Sequence, residues 1–224
     1  MQSNNSDVFI APQCDAEIEI VFQDKYLLII NKPTGLLSLS GKNPLNQDSV
    51  HYRIVQNYST ATLVHRLDFG TSGLMILALN KEVNANLTKQ FQERAIRKSY
   101  TAILHGHVIE NRGKIDMPIA KDKPNFPHLK ICNKTGKAAR TNYKVIARLD
   151  SPKSSRVLFS TETGRTHQLR IHSQAIGHPI LGCDLYGSEE TKLLSGRLML
   201  HATTLEFDHP VTAERIRSKC VCPF

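Results

Sequence analysis

Asp68 is the residue to which a chemical role is most readily given. It stands in the run His65-Arg66-Leu67-Asp68-Phe69-Gly70-Thr71-Ser72-Gly73, with a guanidinium two positions before it and a turn-forming Gly-Thr-Ser-Gly cluster after it. Apolar residues 61–64 and 74–79 flank the run, and the second stretch has the composition and length of a buried strand. One carboxylate is thereby mounted on a tight loop between two core segments, which is a good support for a reactive group. The spacing alone leaves a second reading equally open, an aspartate that only caps a turn.

Other chemistry-bearing residues read more blandly. Tyr100 falls in residues 97–104, a strand whose alternation puts Lys98, Tyr100 and Ala102 on one face. A strand tyrosine is most simply a core residue. The decapeptide Thr163-Gly164-Arg165-Thr166-His167-Gln168-Leu169-Arg170-Ile171-His172 concentrates donors where a helix begins, a place suited to anions. His105 and His107 are too few for a closed metal site. Cys220 and Cys222 have no second pair at zinc spacing, so no metal is expected.

The elements that must position these residues follow from pattern. Residues 1–16 read as a loose lead-in. Residues 17–22 and 27–30 form a hairpin around Gln23-Asp24-Lys25, and Asn31-Lys32-Pro33-Thr34-Gly35 is a structural turn. Asp48 is the expected cap of a helix carrying Val50, Ile54 and Val55, and Asn80 of a helix over 81–94 striped by Val83, Leu87 and Phe91. Strands follow at 97–104, 138–147 and 156–160. Thr166 is the expected cap of a helix that stops at Gly177, and residues 197–202 return to the core as a strand. The tail 214–224 is assigned nothing. The pattern contains no internal repeat.

The totals narrow the class. The chain of 224 residues suits one large domain or two small ones, and 40% hydrophobic content describes a globular chain. No apolar run is long enough for a membrane span, and the N-terminus lacks a secretory layout, so a cytoplasmic protein is expected. Five scattered cysteines point to a reducing compartment. The formal net charge of +9 favours a polyanionic partner through phosphate contacts, with Lys89, Arg94, Arg97, Lys98 and the lysines of 111–137 as candidates.

The motif His-Arg-Leu-Asp-x-x-Thr-Ser-Gly resembles the central motif of the RluA-type pseudouridine synthases. The Asn-Lys-Pro-x-Gly stretch at 31–35, the Lys-x-Tyr-x-Ala stretch at 98–102 and the Gly-Arg-x-His-Gln stretch at 164–168 match the same family in the same order. The resemblance implies an α+β fold, with a mixed or antiparallel central sheet flanked by helices and loops and crossed by an RNA-binding cleft. It implies a single catalytic domain over 17–224 with no S4-like RNA-binding module. It also implies that Asp68 is the catalytic residue, that Tyr100 stacks on the target base and accepts a proton, and that Arg165 pairs with Asp68. On the substrate side it places Arg66, which would fill the position vacated by the flipped base, together with His65, Thr71 and Leu169, which would pack on the base. Arg170 is a candidate for a phosphate or scaffold contact.

The reaction so implied is an isomerisation of uridine within RNA, in which the N1 glycosidic bond is broken and remade at C5. Nothing is oxidised or hydrolysed, so one carboxylate suffices and no cofactor is expected. A guanidinium beside that carboxylate can orient it through both oxygens. The target base must leave its stack, which costs a few kcal/mol and favours loops. By the same resemblance the compact form is like the dual-specificity members that act on position 32 of tRNA anticodon stem-loops and on position 746 of a 23S rRNA hairpin. A monomer with these RNA partners, and with no membrane partner, is expected. A non-catalytic RNA-binding module is the rival reading; it would need the basic surface but not Asp68. A metal-dependent phosphodiesterase would need more clustered ligands than the single key acid provides.

Overall fold

The computed structural model describes residues 9–224, and among them twelve strands and four short α-helices follow in order. They are β1 (Glu19–Gln23), β2 (Leu27–Lys32), α1 (Val50–Val55), β3 (Thr62–Leu63), β4 (Ser72–Ala78), α2 (Lys81–Gln92), β5 (Arg97–His105), β6 (Arg112–Asp116), β7 (Ile119–Lys121), β8 (Leu129–Ile131), β9 (Arg140–Asp150), β10 (Lys153–Thr161), α3 (Gln168–Ala175), α4 (Glu189–Leu193), β11 (Leu200–Asp208) and β12 (Arg215–Lys219). Ten strands make one sheet in the order β1-β2-β4-β11-β5-β10-β9-β6, with β3 added on β4 and β12 on β11. Every pairing is antiparallel except β4 with β11, so the sheet is mixed and the fold is α+β. β7 and β8 form a separate hairpin.

The pattern of burial explains these choices. All seven residues of β4 are buried, because both faces of the sheet are covered there. Leu74 and Ile76 pack with Val83 and Leu87 of α2, while Met75 and Leu77 pack with Val50 and Ile54 of α1 on the opposite face. A strand covered on both sides reads as a continuous apolar run. The other half of the sheet has its own core, where Val157 and Phe159 of β10 meet Leu169 and Ile171 of α3.

Several local expectations are met. Asp24 closes the first hairpin by accepting from the amides of Tyr26 and Leu27, at 2.7 and 2.8 Å. Asn80 caps α2 through the amide of Val83, and Gly177, at φ 81°, closes α3. Others are corrected. Ser49, not Asp48, caps α1, and Asp48 instead pairs with Arg53 at 2.6 Å. Thr166 does not cap α3; the residue before the helix is His167, in the left-handed region at φ 55°. The tail holds a strand, β12, paired along β11. Of the expected lead-in, residues 1–8 lie outside the described residues. The rest is tied down, since Asn46 bonds Phe9 and Ala11, and Arg53 bonds the carbonyls of Cys14 and Ala16.

Two sheet halves meet where His201 and Ala202 of β11 run parallel to Ser72 and Gly73 of β4. Gly73 sits at φ 111°, and a Cβ there would lie 2.3 Å from the carbonyl oxygen of Ala202. Only glycine permits both this conformation and this approach. Gly73→Ala should therefore destabilise the protein by about 2 kcal/mol or more and lower Tm by about 4 °C or more. Thermal unfolding followed by circular dichroism measures this; an unchanged Tm contradicts the tight seam.

Candidate active site

The loop that carries Asp68 is held by the turn before it in the chain. Ser38 Oγ donates to the carbonyl of Leu67 at 2.7 Å, and Thr34 Oγ1 to that of Gly70 at 2.7 Å. The amide of Gly35 donates to the carbonyl of Phe69 at 3.0 Å, and that of Thr71 closes the loop on the carbonyl of Asp68 at 3.0 Å. Beneath it lies Lys32, wholly buried, whose Nζ donates to the carbonyls of Pro33, Leu36 and Phe69 at 2.8, 2.7 and 3.1 Å. Burial lowers the Lys32 pKa to about 7, and the charge of Asp68 works against that shift. Three carbonyl acceptors match the three N–H donors of an ammonium, so the charged form fits the site. Every backbone carbonyl from Leu67 to Gly70 thus has a donor.

Asp68 projects from this loop into a cleft of about 1350 Å³, lined by the 62–71 loop, the end of α2, the start of β5 and residues 160–170. Its side chain is 25% exposed. Arg170 Nη1 lies 3.7 Å from Asp68 Oδ2, and His167 Nε2 lies 4.0 Å from Oδ1. These are close charge contacts rather than hydrogen bonds. His167 and Arg170 are three residues apart across the start of α3, a spacing that turns both to one side.

The cation that faces Asp68 is therefore Arg170 and not Arg165. Arg165 precedes the helix and its Nε donates to the carbonyl of Ala138 at 3.0 Å. Arg170 is 4% exposed, which also removes it from the expected phosphate contacts. Its Nη2 pairs with Asp184, its Nε donates to Cys183 Sγ at 3.3 Å, and its guanidinium lies 5.2 Å from the centre of the Tyr186 ring. Tyr186 in turn bonds His167 Nδ1 at 2.8 Å. Burial lowers the pKa of His167 and the Arg170 charge adds to this, while Asp68 opposes it. Burial thus favours the neutral imidazole beside Asp68.

The loop that leads into α3 is fixed by Gln168. Its Oε1 accepts from Thr163 Oγ1 and the Arg165 amide, at 2.8 and 3.0 Å, and its Nε2 donates to the Arg140 carbonyl and Thr141 Oγ1.

The remaining expected residues divide. Tyr100 lines the cleft and packs against two of the three apolar clusters. Burial pushes its phenol well up from the ordinary value and the Asp68 charge pushes the same way, so the resting phenol keeps its proton. Leu169 lines the cleft beside Arg170, although it is largely in the core. Arg66 is exposed on the cleft and, among the described residues, has no hydrogen bond or ion pair.

His65 and Thr71 also line the cleft, and both are tied into the scaffold. His65 Nε2 accepts from the Ile76 amide at 3.1 Å, its ring lies 4.9 Å from that of Phe91, and burial holds its pKa down to about 3. Thr71 is buried within the loop. Lys32, His167, Asp184 and Tyr186 were not foreseen. Lys32 stands in the Asn-Lys-Pro-x-Gly stretch, which read as a structural turn.

Among the described residues no group of three or more His, Cys, Asp or Glu is placed to hold a metal ion, and no helix is long and apolar enough to cross a membrane.

Known proteins give this geometry its context. Residues 26–175 match the family model described as RNA pseudouridylate synthase. The dual-specificity RNA pseudouridine synthase RluA of Yersinia pestis is 45% identical over 205 residues, spanning 92% of this chain and 99% of the relative. That of Escherichia coli strain K12 is 40% identical over 213 residues, spanning 95% and 97%. Among solved structures, human RNA pseudouridylate synthase domain containing 1 superposes with a TM-score of 0.79 at 30% identity, covering 95% of this chain and 86% of its own.

The two arginines can be separated by experiment. Arg170→Met should lower the single-turnover rate on an RNA substrate of these relatives by about 100-fold or more, the scale for losing one preorganised charge contact. Arg165→Met should cost under about 10-fold. The reverse order would restore Arg165 as the partner of Asp68.

Proposed function

The chain belongs to the RNA pseudouridylate synthase family, whose members isomerise uridine in RNA, and on that premise we propose that residues 17–224 form one catalytic domain in which Asp68 is the reacting carboxylate. The observation that carries this reading is its placement: a partly exposed carboxylate at the floor of a large cleft, with a buried guanidinium, Arg170, behind it. Balance is simple. The N1–C1′ bond breaks, the base turns, C5 bonds to C1′, C5 loses its proton and N1 gains one. An ionised Asp68 is available to attack or to take a proton, and Arg170 orients it from the side away from solvent.

Tyr100 provides a ring against which a flipped base can lie. Since its phenol is held protonated, it accepts the C5 proton only after giving up its own. Leu169 adds an apolar contact. Arg66, exposed at the rim, suits the space left in the RNA stack, because its planar cation both stacks and donates.

The substrates of this reading are stem-loops, in which a uridine is unstacked at least cost. The relatives are named dual-specificity RNA pseudouridine synthases, which supports two classes of RNA substrate; the two proposed for this chain are the tRNA anticodon loop at position 32 and the 23S rRNA hairpin at position 746. The enzyme works as a cytoplasmic monomer, and the basic segment 111–137, which carries the β7–β8 hairpin, is the part that closes on the RNA.

The test is tritium release from transcripts labelled at uridine C5, followed by nearest-neighbour mapping of the product. Wild type should release tritium from one or both stem-loops at the stated uridines, and Asp68→Ala should release none above background. RNA binding without release by wild type would leave a non-catalytic binding module.

A further inference from the structure

Lys98 is the one cleft-lining lysine, and its surroundings are unusual for a cation. It lies on β5 two residues from Tyr100 and on the same face. Its side chain is partly buried, the Nζ resting 5.1 Å from the centre of the Phe91 ring. A Cβ built on Gly164 would lie 3.6 Å from the same Nζ, so the cation sits between the end of α2 and the loop before α3. Among the described residues no carboxylate pairs with it and no acceptor bonds to it. The two glutamates that line the cleft are engaged elsewhere, Glu162 with Lys114 and Glu206 with Arg215 and Arg217. Burial draws the pKa of Lys98 down, and among the described residues no negative charge opposes it.

A second unsatisfied group lies on the neighbouring strand. β5 and β10 pair as far as Ser99 opposite Ser160, and the next step of that antiparallel register sets Lys98 opposite Thr161. Thr161 Oγ1 is buried and has no hydrogen-bond partner. A half-buried ammonium and an adjacent unpaired hydroxyl are each costly to leave without a partner. Lys98 offers donors to a ligand that brings negative charge and several acceptor oxygens, and Thr161, which lines the cleft, adds its hydroxyl on rotating about χ1. In a cleft that takes RNA, that ligand is a phosphodiester.

We propose that Lys98 and Thr161 form a phosphate subsite that grips the RNA backbone next to the target uridine. Alternate residues on a strand are ~7 Å apart, so a base lying on Tyr100 has a neighbouring phosphate within reach of Lys98. The subsite couples base flipping to backbone binding: the phosphate is seated only when the nucleotide has turned into the cleft. This rests on the RNA reading above and adds to it a specific contact.

The experiment uses a synthetic anticodon stem-loop RNA and the full chain, with dissociation constants measured by fluorescence anisotropy over a range of KCl concentrations. Lys98→Met should keep the fold, as judged by its Tm. It should weaken binding about 10-fold at low salt and reduce the slope of log K against log salt by about 0.7–0.9, the change for one phosphate contact. Methylphosphonate is then placed, one at a time, at the phosphodiesters flanking the target uridine. One position should weaken wild type about as much as Lys98→Met does, and should cost that variant nothing more. A merely structural lysine would show no such coupling.

An unchanged salt slope in Lys98→Met overturns the subsite. So does a methylphosphonate series in which no position costs wild type more than 2-fold, and that arm stands even if the variant fails to fold. If wild type binds neither the anticodon stem-loop nor the 23S rRNA hairpin, the RNA reading falls and takes the subsite with it.

Discussion

The close passage of Gly73 against Ala202 is the constraint on which the rest of the structure depends. The β1-β2-β4 half of the sheet supplies Asp68, on the loop that enters β4, and the β5-β10-β9-β6 half leads into α3 with His167 and Arg170. These halves meet through β11, whose one parallel pairing is the two-residue contact with Ser72 and Gly73. Asp68 is only four residues from that contact. The distance between the carboxylate and its guanidinium is thus set by backbone packing at the seam. Ser72 reinforces the join, since its hydroxyl bonds His201 Nδ1 at 2.8 Å and accepts from Arg197 at 2.5 Å.

Two buried cations then give the loop its electrostatic character, by different means. Among the described residues Lys32 has no carboxylate in contact; its ammonium is surrounded by three carbonyl oxygens and acts mainly on backbone shape. Arg170 has two carboxylates, Asp68 on the cleft side and Asp184 on the outer side. A buried guanidinium with one partner removed is costly, and Asp184 and the Cys183 sulfur hold Arg170 in place independently of Asp68. Under the proposed function, Asp68 then reacts without leaving its neighbour wholly unpaired. In this arrangement His167, neutral and steered by Tyr186, adds a polar group beside the carboxylate without a competing charge.

Much of this was legible in the sequence, and the parts that were not have physical reasons. The apolar run of β4, the Asn80 cap and the Gly177 stop are local signals, and they correspond to the observed elements. The spacing around Asp68 left a turn cap and a reactive carboxylate equally open, and the resemblance of the His-Arg-Leu-Asp motif selected the second. The identity of its cationic partner is a matter of helical phase. Arg165 and Arg170 lie five residues apart, and the left-handed turn at His167 delays the start of α3, which sends Arg165 to a backbone carbonyl and brings Arg170 inward. A cap at Thr166 would have started the helix earlier. His65 read as a functional neighbour of Asp68, but its acceptor was needed by the Ile76 amide, a contact eleven residues away. β12 was missed because a short, half-exposed, charged strand has no apolar period; it is made by pairing with β11. Likewise Tyr186 and Asp184 reach the site only through tertiary folding.

The central claim is that the target uridine is delivered to Asp68, and the structure of Asp68→Asn bound to an anticodon stem-loop tests it most directly. The neutral, isosteric amide should leave binding intact and trap the unreacted complex. The account predicts the uridine turned out of its loop, with its C1′ or a reacting base carbon within about 3.5 Å of the residue 68 side chain, its base against Tyr100 and Arg66 in the vacated stack. A uridine still stacked in the loop, or one turned toward Glu162 or Glu206 instead, would contradict it.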